Sequence, residues 1–87
     1  MIYVKRIVLD VLKPHQPNGL EFTSAIAEQS PGARVKLSVL EVDEKTESVI
    51  IVIEGQALDY NEISEAISNL GGTVHSIDEV EVENGPE

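Results

Sequence analysis

Residues Val49-Ile50-Ile51-Val52-Ile53 put five apolar side chains in a row with no polar residue among them. A β-strand sends successive side chains to opposite faces, so a run without alternation has to be covered on both sides. The residues are also all β-branched, which favours a strand over a helix. Material for covering that strand is scarce. The 87 residues supply one apolar core and therefore one domain. A domain near this size hides only about 60 to 65 % of its unfolded surface. The chain has no cysteine, so neither a disulfide nor a thiolate zinc site can reinforce it. Self-association is the reinforcement that remains.

The flanking pattern sets out the other elements. Residues 3–13 read as a strand with Ile7, Leu9 and Val11 on one side and Val8, Asp10 and Leu12 on the other. Pro14 and Pro17 stop it by removing backbone donors and fixing φ. Asn18, with Glu21 three residues on, forms a capping signal for a helix over 19–29, which Ser30-Pro31-Gly32 ends. Strands over 33–43 and 47–54 follow, joined so briefly by Glu44-Lys45-Thr46 that they must form a hairpin. Asp59 and Glu62 cap a second helix, in which Ile63, Ala66, Ile67 and Leu70 recur at helical spacing before Gly71-Gly72. The last strand is read over 73–82. Its apolar positions 74, 77, 80 and 82 break the period of two, which calls for a bulge or an early end. A polar tail over 84–87 is expected to be disordered.

Each half thus runs strand, capped helix, glycine stop and strand. This predicts one α+β domain over residues 1–83, the ferredoxin-like βαββαβ sandwich. Right-handed crossovers give a four-stranded antiparallel sheet of order 4-1-3-2 with both helices on one face. The other face carries Val8, Leu12 and part of the third strand with nothing in the chain to cover it. Apolar surfaces of that kind are seldom left wet, so a homo-oligomer formed through the open sheet face is expected.

Sixteen acidic against six basic residues leave a net charge of −10, which repels phosphate backbones and argues against a nucleic-acid partner. No stretch approaches the roughly 18 apolar residues of a membrane span. With no signal-peptide pattern, a soluble cytoplasmic protein is expected.

Candidate chemistry follows from the topology. The first strand ends where the fourth begins, so Lys13, His15 and His75 are expected to be neighbours and form a ligand-binding set. The hairpin turn brings Asp43, Glu44 and Glu47 to the same edge. Imidazoles with carboxylates suit a divalent transition metal, and His15, His75, Asp43 and Asp78 are the candidate ligands. The duller alternative is that the histidines are solvated or bond the backbone. Asp10, an acid in an apolar strand, needs a partner, either Arg6 on the same strand face or a residue of a neighbouring subunit, and an interface salt bridge is favoured over a catalytic carboxylate. The alternating acids of residues 76–83 read as an edge strand that discourages strand addition, or as carboxylates that gather cations at a subunit boundary. No cysteine nucleophile, GxSxG elbow or phosphate-cradling loop is present, so an enzyme is not required.

The segments Leu9-Asp10-Val11-Leu12-Lys13-Pro14-His15 and Gly71-Gly72-Thr73-Val74-His75-Ser76-Ile77-Asp78-Glu79-Val80, with Glu41-Val42-Asp43, Thr46-Glu47 and Ile53-Glu54-Gly55, carry a family resemblance. The chain resembles the small archaeal family catalogued as domain of unknown function two hundred and eleven. The likeness runs over about residues 4–80 and implies a ferredoxin-like fold, a ring-shaped homo-oligomer and no assigned activity. It also implies that His15 and His75 share one functional cluster. The Gly-Pro tail and Gln29, where a leucine-like residue would complete the first helix's stripe, depart from the pattern. Two functions follow as expectations. The first is an oligomeric binding or regulatory module that takes a cation or small ligand near His15 and His75. The second is a metal-dependent enzyme of unknown reaction using those histidines with Asp43 or Asp78.

Overall fold

A computed structural model describes residues 1–86. Its elements are β1 (Ile2–Pro14), α1 (Gly19–Glu28), β2 (Arg34–Val42), β3 (Thr46–Glu54), α2 (Tyr60–Asn69) and β4 (Thr73–Asn84). All strand pairs are antiparallel, and the order across the sheet is β2-β3-β1-β4, the expected order read from its other edge. The apolar run of β3 therefore lies inside the sheet. Its odd members Val49, Ile51 and Ile53 are fully buried under the helices with Ile7, Leu9, Val11, Phe22, Ile26, Ile63 and Ile67. Its even members Ile50 and Val52 face the other way and are only partly covered.

Local chemistry fixes the helices as anticipated. The Asn18 and Asp59 side chains accept hydrogen bonds from the Glu21 and Glu62 backbone N–H groups, at 2.9 and 3.2 Å, satisfying donors that helix starts leave open. Gly71, at φ 86°, turns the chain out of α2 in the left-handed region. Gly72 then passes so close to the core that a Cβ there would lie 2.9 Å from both Ile67 Cγ2 and Phe22 Cζ.

The strands outrun the helices. β1 has 13 residues, or about 43 Å of extended chain, whereas each ten-residue helix covers about 15 Å. The molecule is accordingly elongated, at 48 × 22 × 17 Å. β4 continues to Asn84, two residues beyond the expected end. It holds register against β1 through shifts at Val4/Arg6, Val8/Leu9 and Asp10/Val11, so bulges and not an early end explain its broken period. Within the tail expected over 84–87, Asn84 is strand and the Gly85 N–H donates to the Met1 carbonyl at 2.9 Å. Glu87 lies outside the described residues. No helix among the described residues is long and apolar enough to cross a membrane.

Candidate functional site

Lys13 continues the buried side of β1 that begins with Ile7, Leu9 and Val11. Its side chain is fully enclosed, at 0 % exposure. An ammonium taken from water needs a counter-charge and acceptors, and the neighbouring strand supplies them. Glu47 stands directly opposite in the β1–β3 register. Lys13 Nζ donates to Glu47 Oε1 at 3.3 Å and to the Pro14 carbonyl at 2.8 Å. It also sits 5.6 Å from the centroid of the Phe22 ring, whose negative face favours a cation.

The other oxygen of the same carboxylate holds His15. Nδ1 of the imidazole is 2.9 Å from Glu47 Oε2, and Nε2 is 3.0 Å from the Glu44 carbonyl oxygen. Both ring nitrogens face acceptors, so both bonds form together only when both nitrogens carry protons. The geometry specifies an imidazolium. The Glu47 carboxylate first, then the Glu44 carbonyl, hold the His15 pKa above its ordinary value. His15 in turn, followed by Lys13, holds Glu47 below the usual carboxylate range. One carboxylate thus ties the end of β1 and the turn after it to the hairpin between β2 and β3. A metal ligand needs a nitrogen lone pair, and in this arrangement His15 offers none.

Among the described residues, His75 and Asp78 make no bond to this cluster, whereas the Asp43 backbone stands beside His15 in the hairpin turn. His75 occupies a shift in the β1–β4 register and, with Asp10, Leu12, Leu40 and Ser48, lines a depression of about 300 Å³ on the face without helices. Asp78 accepts a hydrogen bond from the Ser76 hydroxyl at 2.6 Å. The Asp43 N–H closes the hairpin turn on the Thr46 carbonyl at 2.8 Å. Among the described residues no three His, Cys, Asp or Glu side chains are grouped to hold a metal ion. Arg6 does not pair with Asp10 as expected. Its guanidinium bridges Glu54 at 2.8 Å and Glu79 at 3.0 Å, from the strands on either side. The β1 registers place Arg6 opposite Glu54 and Glu81, while Asp10 sits between Ile50 and Ser76.

Comparison with known proteins covers nearly all of this framework. The model of the family described as DUF211, uncharacterized ArCR, matches residues 5–84. The chain belongs to the DUF211 family. The chain is similar to the uncharacterized protein MJ0319 of Methanocaldococcus jannaschii. It is 48 % identical over 77 residues, which is 88 % of this chain and 79 % of that one. The family match includes Lys13, His15 and Glu47, so the buried cluster of this DUF211 protein lies inside the shared domain.

The cluster makes the hairpin pH-sensitive. The raised His15 pKa means its positive charge contributes below the ordinary imidazole value and is lost as pH climbs through the raised value. The lowered Glu47 pKa means its charge contributes above the ordinary carboxylate value and is lost as pH falls through the lowered one. Both charges are present only between those limits. Nitrogen NMR should show both ring nitrogens of His15 protonated at about pH 6, with one proton leaving only above the ordinary imidazole pKa. As that proton leaves, amide exchange at residues 43–46 should quicken beyond its intrinsic pH dependence. A His15→Gln chain should lack the extra increase. A neutral His15 ring at pH 6 would refute the assignment.

Proposed function

We propose that this protein is a non-enzymatic, cytoplasmic binding or regulatory module that works as a homo-oligomer, with the helix-free face of each sheet covered by another copy. One observation carries the reading. Leu12 at 43 % exposure and Leu40 at 63 % stand beside the partly covered Ile50 and Val52 on a face that has no helix, whereas Val8, expected to lie open there, is buried within the chain at 9 %. Such a patch is what obligate subunit contacts bury. His75, Asp10 and Ser48 line a depression in the same face, so a ligand carried by the module is expected there and not at His15.

Light scattering tests the assembly. The parent should have a mass several times the 9.5 kDa chain. Leu12→Glu should reduce that mass, because a carboxylate would have to be buried without a partner. Leu20→Glu, at the most exposed apolar residue of α1, should leave it unchanged. A Leu12→Glu chain that keeps the parent's size would rule out this face.

A further inference from the structure

The Ser30 hydroxyl is buried and has no hydrogen-bond partner among the described residues. Ser30 stands just beyond the C-terminus of α1 at 9 % exposure. Its backbone is fully used, since its N–H donates to the Ala27 carbonyl at 3.1 Å and its carbonyl accepts from the Ala33 N–H at 2.9 Å. A hydroxyl withdrawn from water without a bond is costly, so the group calls for an occupant of the space beside it. That space is a cavity of about 240 Å³ between the segments that follow α1 and precede α2, and Ser30 lines it. Pro31, Ala33, Ala57 and Leu58 make the wall apolar, while Asp59 and Glu62 make it acidic.

The electrostatics select a cation. Neither Asp59 nor Glu62, nor Glu65 one turn on, is ion-paired among the described residues. The Glu62 and Ile63 N–H groups, which an anion would need, already donate to the Asp59 side chain and carbonyl. The end of α1 beside the cavity is the negative pole of that helix, and no basic residue stands in its last turn. The nearby Lys5 ammonium is committed to Gln56 Oε1 at 3.1 Å and to Glu83 at 3.6 Å. A metal ion is a poorer match, because no three His, Cys, Asp or Glu side chains are grouped among the described residues and the wall is largely apolar. An alkyl ammonium fits both halves of the cavity's chemistry. It donates three hydrogen bonds, enough for the two carboxylates and the Ser30 oxygen, and its carbon stem suits the apolar wall.

The cavity does not end there. Glu62 also borders a groove of about 440 Å³ between the helices, where Ala25 and Ala66 are too small to fill the space and Gln29, Glu65 and Asn69 supply polar groups. Asp59 and Glu65 stand about 9 Å apart along the axis of α2, a gap that a few methylenes span. We infer that the two connected hollows bind a linear aliphatic polyamine. One ammonium sits among Ser30, Asp59 and Glu62, the stem crosses Glu62 into the groove, and the next ammonium sits beside Glu65 and Gln29. This site belongs to the helices and their connections. It rests neither on the covered sheet face nor on the depression at His75, so either reading can fail alone.

The experiment is an amine titration of the full chain at fixed ionic strength, followed by calorimetry and amide NMR shifts. Diaminobutane should shift residues 30–33 and 55–66 and bind about tenfold or more tightly than butylamine, because its second ammonium is tethered beside Glu65. Glu65→Gln should lower the diamine to the affinity of butylamine and leave butylamine nearly unchanged. Ser30→Ala should weaken both amines about fivefold or more. Without amine the same variant should melt no lower than the parent, because it removes a buried hydroxyl that lacks a bond. Glu41→Gln removes the same charge at the far end of β2 and should change neither affinity. Equal weakening by Glu41→Gln and Glu65→Gln would mean diffuse attraction to a chain of net charge −10 and would overturn the inference. So would amine binding unmoved by Ser30→Ala, and so would displacement of diaminobutane by magnesium ions at equal concentration.

Discussion

A chain carrying Glu47→Leu should melt on the order of 10 °C below the parent, and adding Lys13→Met should recover most of that loss. The asymmetry comes from burial. Lys13 is completely enclosed, while Glu47 retains 18 % exposure. Removing the carboxylate leaves an ammonium in the core with only the Pro14 carbonyl and the Phe22 ring to hold it, and a buried charge without its counter-charge is strongly unfavourable. Removing the ammonium as well leaves methionine, close in length to the lysine stem, in contact with residues that are already apolar. Thermal melts of the parent, both single variants and the double variant form a complete cycle. If Glu47→Leu melts with the parent, or if Lys13→Met worsens it, the ion pair is not what secures the end of β1.

The second large effect is expected at Phe22. Phe22→Ala should destabilise the domain by about 3–5 kcal/mol, through lost burial and the cavity left behind. The ring is fully buried and touches three separate parts of the fold. It anchors α1, it lies under the Lys13 ammonium, and its Cζ sits where a Cβ at position 72 would fall. Phe22→Leu retains most of the volume and loses the ring's attraction for the cation, so about 1 kcal/mol is expected. Denaturant titrations separate the two. Equal losses for alanine and leucine would mean that the aromatic face, and not the volume, is what position 22 supplies.

Much of this architecture is legible before any coordinates. The unalternating run of β3, the capping residues Asn18 and Asp59, and the Gly71-Gly72 stop each depend on a few neighbouring residues, and local rules read them directly. Strand order follows because short connections and right-handed crossovers leave few alternatives. Cross-strand register is harder, because it is set by distant segments. Arg6 illustrates the point. Spacing within one strand nominates Asp10, whereas the actual partners stand on β3 and β4, to either side. The end of β4 is obscured for a related reason, since the shifts in its pairing with β1 scramble the apolar spacing that marks a strand. The candidate site was legible in part. Topology names the loops that meet at the end of β1, and it brings Glu47 near His15. It does not say which side of the sheet each side chain takes. His15 joins the buried side through Glu47, while His75 opens onto the other side beside Asp10 and Leu12. The rung that sets Lys13 opposite Glu47 would have been the signal for the buried cluster, had the hairpin register been known.

The pairing of β1 with β4 bears on how quickly the protein folds. Ile2 lies beside Asn84, so the middle of the sheet stays incomplete until segments from opposite ends of the sequence meet. Closing so long a loop is entropically unfavourable until the contacts it permits have formed, which places such topologies among slow two-state folders. The β2–β3 hairpin closes over only a few residues and is the natural nucleus. On a ribosome, one edge of β1 would stay unpaired even after β3 has docked on the other, until β4 emerges behind α2.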